Sequence, residues 1–227
     1  LANVTHDLRT PLTAIRMYAQ TLQAGKLKDD PERTRDSLET IVRETAWLDS
    51  VIDRVLTWRA AAKDRDTLEL KSEPVRAAVE DALQRFGRLT VPGEVDLSIQ
   101  IDSTAPVLHD QLGISAVVLN LLINAYKYTT REKIITVAVQ DLDRQVSISV
   151  QDNGIGIPQR ELRRIFEPFY RADSRLRSRA AGAGLGLAIV HHQVRSHGGE
   201  VQVESTEGVG SRFTVLLPKA DLEGRRA

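Results

Sequence analysis

The chain has 227 residues, of which 41% are hydrophobic and 27% are charged, values typical of a soluble globular protein. Its 31 Lys and Arg residues balance 31 Asp and Glu residues, which excludes a globally basic protein that coats nucleic acid or an anionic membrane. Cysteine is absent, which excludes disulfides, thiolate metal sites and cysteine nucleophiles.

Residues 1–65 are predicted to form a helical hairpin. Gly25 offers a helix stop, and Asp30 before Pro31 is typical of an N-cap followed by proline at the first helical position. Apolar residues recur at alternating steps of four and three, which is typical of coiled-coil seams. The mainly apolar seam positions are Val4, Leu8, Leu12, Ile15, Ala19 and Leu22, then Leu38, Ile41, Thr45, Leu48, Ile52 and Val55. Since one hairpin cannot bury both faces, we expect two chains to form a four-helix bundle in a homodimer.

Residues 66–220 are predicted to form a second domain of mixed helix and strand, and residues 221–227 a frayed tail. In chain order, the patterns predict a helix over 75–86, a strand over 97–101, a helix over 110–128, strands over 134–140 and 146–151, a helix over 185–197, and strands over 201–205 and 211–217. Helices and antiparallel hairpins in this order indicate an α+β fold, with one mixed sheet and helices on one face.

One face of the helix over 110–128 carries polar side chains. Asn120, Asn124, Lys127 and Tyr128 fall at i, i+4, i+7 and i+8, opposite an apolar stripe. Amide oxygens are suited to Mg²⁺ and a lysine charge is suited to phosphate, so this face would suit a metal-bound nucleotide. An ordinary solvated helix face is the alternative interpretation.

Two glycine-rich segments could also bind a ligand. Residues 152–158 follow a predicted strand; their glycines permit close approach of the backbone, and Asp152 can accept a hydrogen bond from an exocyclic amine. Gly182, Gly184 and Gly186 precede a helix whose free N–H groups form an anion site. A simple turn is the alternative for the first segment, and the second fits neither a Rossmann nor a P-loop pattern.

His6 is the remaining candidate. It lies about 200° around the helix from the seam positions Val4 and Leu8, so we expect it to project away from the bundle core. Thr10 lies four residues later on the same helix face. A solitary exposed histidine is ordinarily a surface residue, so the position of His6 alone does not indicate function.

These segments together resemble sensor histidine kinases of two-component systems. Residues 5–12, Thr-His-Asp-Leu-Arg-Thr-Pro-Leu, resemble the H-box of that family, and residues 120–128 resemble its N-box. Residues 152–156 are similar to the G1 box, residues 166–171 to the F-box and residues 182–186 to the G2 box. All five occur in the order of the family, and the resemblance covers essentially the whole chain.

The resemblance implies a dimerisation and histidine phosphotransfer hairpin followed by an ATP-binding α/β sandwich of the Bergerat type, with ATP and Mg²⁺ as cofactors. Asn124, with Asn120 nearby, would hold Mg²⁺, and Asp152 would bind the adenine amine. Lys127 and Arg171 would contact phosphates. The full set of implied nucleotide-binding residues is Asn120, Asn124, Lys127, Tyr128, Asp152, Gly154, Gly156, Arg171, Gly182, Gly184, Leu185 and Gly186.

The resemblance also implies the catalytic residues. His6 would attack the γ-phosphoryl group in line, with Asp7 orienting the imidazole or taking its proton. The phosphoryl group would pass to an aspartate on a response-regulator receiver domain, and Thr10 would position water for the reverse, phosphatase activity. The family often has glutamate in place of Asp7 and Thr or Ser in place of Ala183, which are small departures.

Two alternatives to a kinase are a nucleotide-binding dimeric scaffold that no longer transfers phosphate, and an ATPase of the gyrase or Hsp90 kind. The intact set of His6, Asp7, Asn124 and Asp152 favours the kinase, since a scaffold need retain none of them. A gyrase-like ATPase gives no reason for His6 beside Asp7 on a dimerising hairpin.

Charge and targeting add two expectations. Within residues 160–179, seven arginines face three acids, so we expect a basic lid over a polyphosphate. The sequence begins at Leu1, without a signal peptide or an apolar stretch long enough to cross a bilayer. We therefore expect a cytoplasmic piece of a longer protein, with no nucleic-acid partner and no membrane contact of its own.

Overall fold

The structure is a computed structural model that describes residues 2–61, 68–130, 132–168, 170 and 184–220. In chain order its elements are α1 (Ala2–Gln23), α2 (Pro31–Ala61), β1 (Lys71–Pro74), α3 (Arg76–Leu89), β2 (Val95–Ile101), β3 (Pro106–His109), α4 (Gln111–Tyr128), β4 (Lys133–Asp141), β5 (Gln145–Asp152), α5 (Gly186–Ser196), β6 (Glu200–Thr206) and β7 (Gly210–Pro218). The predicted fold class, a helical hairpin followed by a mixed α/β domain, is confirmed.

The hairpin consists of α1 packed against α2. Gly25 adopts a positive φ of 64° in the connection, a conformation that favours glycine. The side chain of Asp30 accepts a hydrogen bond of 3.0 Å from the backbone N–H of Arg33, and Pro31 begins α2. The predicted helix stop and N-cap are therefore confirmed. The predicted domain boundary between residues 65 and 66 lies outside the described residues and stays a prediction.

The second domain is built on a five-stranded sheet with the order β2-β4-β5-β7-β6. β2 pairs with β4 in parallel, and the other pairs are antiparallel. Alternate residues of β4 are buried (Ile135, Val137 and Val139), whereas Ile134 on the other face is exposed. α4 and α5 pack against the sheet and α3 packs against α4, so the core lies on one face of the sheet, as predicted.

β1 and β3 form a separate two-stranded antiparallel sheet that the sequence patterns did not predict. Each strand has only four residues, and each contains a proline, so neither shows the alternation by which a strand is recognised. Their pairing arises from tertiary contact. The sheet leads directly into α4, because β3 ends at His109 and Asp110 caps the helix by accepting a hydrogen bond from Leu112.

α2 also contacts the second domain through α3 and α5. Ala46 and Trp47 of α2 are partly buried and pack against the core of that domain. Among the helices within the described ranges, none has the length and apolar character needed to cross a membrane.

Candidate functional site

A cavity of about 300 Å³ opens between the C-terminal half of α4, the segment after β5 and the first residues of β7. Pockets of this size with mainly apolar walls and a few polar groups are typical of small-molecule sites. Its lining residues are Asn124, Tyr128, Asp152, Ile155, Gly156, Ile157, Pro158, Ile165, Tyr170, Leu187, Glu207, Ser211 and Phe213. The structure thus brings together four of the residues predicted from sequence: Asn124, Tyr128, Asp152 and Gly156.

Asp152 ends β5 and presents its carboxylate to the cavity. Its Oδ1 accepts hydrogen bonds from the backbone N–H groups of Gly154, at 2.8 Å, and Ser211, at 3.2 Å. Burial raises the pKa of Asp152, and the two backbone hydrogen bonds oppose this rise in part. A carboxylate held by two fixed donors on one oxygen can direct its other oxygen towards a ligand donor.

The glycines after Asp152 allow the backbone to pass between two other segments. A Cβ atom on Gly154 would lie 2.6 Å from the carbonyl oxygen of Tyr128. Gly156 has a φ of 66°, and a Cβ there would lie 2.0 Å from the carbonyl oxygen of Thr206. No other residue fits either position without backbone movement, which explains why these positions require glycine.

The amide oxygens of Asn120 and Asn124 both approach Gly186, the first residue of α5. A Cβ atom on Gly186 would lie 3.1 Å from Oδ1 of Asn120 and 3.7 Å from Oδ1 of Asn124. The Nδ2 group of Asn120 donates to the carbonyl of Ala116 at 2.8 Å, whereas its buried Oδ1 finds no hydrogen-bond partner among the described residues. A buried amide oxygen without a partner is costly and is consistent with a site that binds a cation or donor.

The burial of Asn120 argues against the alternative that this face of α4 is an ordinary solvated helix face. Its side chain is only 4% exposed, because α5 packs against α4 at this level. The side chains of Asn124 and Tyr128, one and two turns later, line the cavity instead.

The side chain of Lys127 contacts the hairpin, and its predicted contact with phosphate stays a prediction. Its ammonium nitrogen lies 4.4 Å from the ring centroid of Trp47 in α2, over the face of the indole. A cation in this position is attracted by the negative face of the aromatic ring. The ammonium group of Lys127 therefore contacts the hairpin in this structure.

The remaining predicted residues divide between the described and undescribed parts of the chain. Gly184, Leu185 and Gly186 lie at the beginning of α5, where Gly184 has a φ of 71°. Arg171 and Gly182 lie outside the described residues. His6, Asp7 and Thr10 lie in α1, but the structure describes only their backbone and not their side chains.

The predicted basic lid is described only in part. Of its arginines, Arg160 pairs with Glu161 at 3.3 Å and Arg164 pairs with Glu167 at 3.4 Å. The hydroxyl of Tyr170, a cavity residue, donates to Glu161, and this hydrogen bond is the main reason that the pKa of Glu161 is lowered. Acidic neighbours thus balance part of the arginine charge on the described side of the segment.

Several cavity residues were missed by sequence reasoning. Leu187, Glu207 and Ser211 carry no pattern that points to a ligand, because they lie on a helix, in a turn and on a strand far apart in sequence. The available signal for Ser211 was its position after the glycine-rich turn 207–210, where the chain must approach another strand closely.

Two family models match the chain. Residues 109–221 match the family described as histidine kinase-, DNA gyrase B-, and HSP90-like ATPase, and residues 1–59 match the His Kinase A (phospho-acceptor) domain. The chain is 32% identical over 219 residues to the sensor-like histidine kinase SenX3 of Mycobacterium tuberculosis, covering 96% of this chain and 53% of SenX3. The chain therefore spans about half the length of this curated relative.

Solved structures of similar fold include two histidine kinases that are longer than this chain. Full-length ShkA in complex with AMPPNP superposes with a TM-score of 0.64 and 26% identity, covering 98% of this chain and 46% of ShkA. The histidine kinase ThkA in complex with the response regulator protein TrrA gives a TM-score of 0.62 and 25% identity, covering 96% of this chain and 60% of ThkA.

Proposed function

The chain belongs to the sensor histidine kinases of two-component systems, and from this membership we propose that it autophosphorylates His6 with ATP and passes the phosphoryl group to a response regulator. The observation that carries the proposal is the cavity lined by Asn124, Tyr128 and Asp152, in which two backbone N–H groups hold the carboxylate of Asp152.

The residues of the cavity fit a nucleotide with its metal. The apolar walls and the carboxylate of Asp152 suit adenine and its exocyclic amine. The unsatisfied Oδ1 of Asn120 and the Oδ1 of Asn124, which both approach Gly186, would suit Mg²⁺, which prefers oxygen ligands. The N–H groups at the beginning of α5, near Gly186, suit phosphate. When bound, ATP would supply the phosphoryl group and Mg²⁺ would offset part of the negative charge on the phosphate oxygens.

The hairpin would supply the nucleophile. His6 accepts the phosphoryl group on one ring nitrogen, and the neighbouring Asp7 orients the imidazole or takes its proton. Thr10, one turn further along α1, positions water for hydrolysis of the phosphorylated regulator. The receiving group is an aspartate of a receiver domain, and residues 1–65 and 66–220 act as the phosphotransfer and catalytic domains.

The hairpin also supports assembly as a homodimer. Leu12 and Leu38, both predicted seam positions, are 59% and 51% exposed in the single chain, and Val42 is 69% exposed. Large apolar side chains exposed along one hairpin indicate a surface that a second copy covers, because burying each Leu contributes about 1.5–3 kcal/mol. A four-helix bundle formed from two hairpins would bury them.

The test is to incubate the protein with Mg·ATP labelled at the γ position and to measure acid-labile, alkali-stable phosphate on the chain. We expect label in the parent protein and in a His192→Ala control, and none in His6→Ala. ATP binding without label in the parent would favour the catalytically silent scaffold. Label that persists in His6→Ala would refute the assignment of the phosphoacceptor. Transfer and phosphatase activity are then measured by adding a receiver domain to the labelled protein.

A further inference from the structure

Ser205 lies in β6, outside the lining of the cavity, and its side chain is almost fully buried. Its Oγ has three hydrogen-bond partners: the carbonyl of Gly210 at 3.0 Å, the N–H of Ile157 at 2.7 Å and Oγ of Ser211 at 2.9 Å. A hydroxyl group has one proton and two lone pairs. Since the Gly210 carbonyl can only accept, Ser205 donates its proton there and accepts from both Ile157 and Ser211. Every hydrogen-bonding position of this hydroxyl is used.

The partners of Ser205 belong to two walls of the cavity. Ile157 lies in the segment after Asp152, and Ser211 lies at the beginning of β7; both line the cavity. Ser211 stands in register with Ser205 on one side and with Asp152 on the other. The hydroxyl of Ser205 therefore joins β6 to both segments that surround the carboxylate.

Asp152 depends on these two segments for its orientation. Its Oδ1 accepts hydrogen bonds from the N–H groups of Ser211 and Gly154. The side chain of Ser211 is hydrogen-bonded to Ser205. Gly154 lies three residues before Ile157, whose N–H donates to Ser205. Loss of the Ser205 hydroxyl would release both anchors and leave the N–H of Ile157 without its acceptor. A misplacement of less than 1 Å is enough to weaken a hydrogen bond to a ligand.

We propose that Ser205 is a positioning residue for base recognition: through Ser211 and Ile157 it fixes the carboxylate of Asp152 so that this group selects a purine bearing an exocyclic amine. This inference rests on the proposed function, in which Asp152 binds adenine. It adds a residue that does not touch the nucleotide and acts on specificity through others.

The test compares ATP with inosine triphosphate, in which a carbonyl oxygen replaces the amine that Asp152 would accept from. The affinity ratio of the two nucleotides is measured by isothermal titration calorimetry, without need of catalysis. The parent is expected to prefer ATP. Ser205→Ala is expected to reduce the preference roughly tenfold, equivalent to about 1.4 kcal/mol. Ser205→Cys, which keeps the volume but has only a weak S–H group, is expected to act in the same direction and serves if Ser205→Ala does not fold.

Ser147 offers a matched control. It lies on β5 of the same sheet with an exposure of 8%, close to the 9% of Ser205, and its Oγ donates to the carbonyl of Gln140 at 3.2 Å, on the strand paired with β5. Ser147→Ala removes a buried strand hydroxyl without touching either cavity wall. We expect it to lower the thermal midpoint and to leave the nucleotide preference unchanged.

A double-mutant cycle shows whether Ser205 acts through Asp152. In an Asp152→Asn background, Ser205→Ala is expected to change the ratio no further, because the group that it positions is gone. An unchanged ratio in Ser205→Ala and Ser205→Cys, or an equal reduction with and without the Asp152 carboxylate, would overturn the inference. A parent that binds no ATP would instead refute the proposed function, so the two failures are distinguishable.

Discussion

The contact between Lys127 and Trp47 leads to a quantitative prediction about nucleotide affinity. If Lys127 contacts phosphate when nucleotide is bound, its ammonium must leave the indole of Trp47, which lies 4.4 Å away on the hairpin. The hairpin and the nucleotide then compete for one cation. Replacing Trp47 by Leu removes the aromatic face while keeping an apolar side chain at this partly buried position.

The size of the effect follows from the environment of the pair. A cation over an aromatic face contributes about 0.5–1 kcal/mol at exposed sites and about 2 kcal/mol when desolvated. For a partly buried tryptophan a contribution of about 1 kcal/mol is reasonable, which corresponds to about a fivefold change in Kd. Trp47→Leu is therefore expected to bind Mg·ATP about fivefold more tightly, and Trp47→Phe, which keeps an aromatic face, less than twofold.

Calorimetric titration of ATP measures these differences, and fluorescence reports the contact itself. The chain contains two tryptophans, so Trp58→Phe leaves Trp47 as the single indole. Addition of nucleotide to that variant is expected to change the emission of Trp47 as the ammonium departs. Equal ATP affinity in the parent, Trp47→Leu and Trp47→Phe, together with an unchanged emission spectrum, would show that the hairpin does not compete for Lys127.

Three further predictions concern pH, backbone geometry and assembly. Because burial raises the pKa of Asp152, its carboxylate takes up a proton at a higher pH than an ordinary aspartate does. The affinity for ATP should therefore weaken on acidification before the pH falls to the usual aspartate range. Calorimetric titrations across pH should show this weakening in the parent and not in Asp152→Asn. Gly156→Ala should lower the free energy of unfolding in urea by about 1–3 kcal/mol, because alanine is strained at this positive φ. Gly87→Ala, in α3 with open space around it, should raise that free energy by up to about 1 kcal/mol. Equal effects of the two substitutions would show that backbone strain does not decide the outcome. Leu38→Glu on the hairpin should convert a dimer to a monomer in sedimentation velocity. Leu112→Glu, on α4 at a leucine that is more exposed than Leu38 (73% against 51%), should not, and a dimer that survives Leu38→Glu would place the interface elsewhere.

Sequence patterns predicted the helices and the main sheet well because their signals are local. The cap at Asp30 and the stop at Gly25 depend on residues within one turn of the helix end, and the structure shows both. The strands of the five-stranded sheet follow from alternation within each segment. β1 and β3 were missed because each is stabilised by its partner and has no pattern of its own.

Candidate site residues were predicted from sequence where their signal was local, as it was for the helices and strands. Asp152 and Gly156 form part of one short motif, and Asn124 and Tyr128 share a helix face, so their grouping was visible in sequence. Ser205 and Ser211 were not visible, since a serine in a strand is ordinary. Their significance depends on hydrogen bonds to residues 48 and 59 positions away in the chain, respectively.

The amino-acid sequence by itself determined the hairpin, the order of the helices and of the strands of the five-stranded sheet, and the family, because periodicity, capping and motif spacing are properties of short segments. Tertiary structure alone decided which polar atoms meet. It buried Asn120 under α5, turned the ammonium of Lys127 towards Trp47 and aligned Ser205, Ser211 and Asp152 across three strands. The physical reason is that strand register and helix packing bring together groups that are remote in sequence, and these groups affect the site through hydrogen bonds and ring contacts that no short segment of sequence contains.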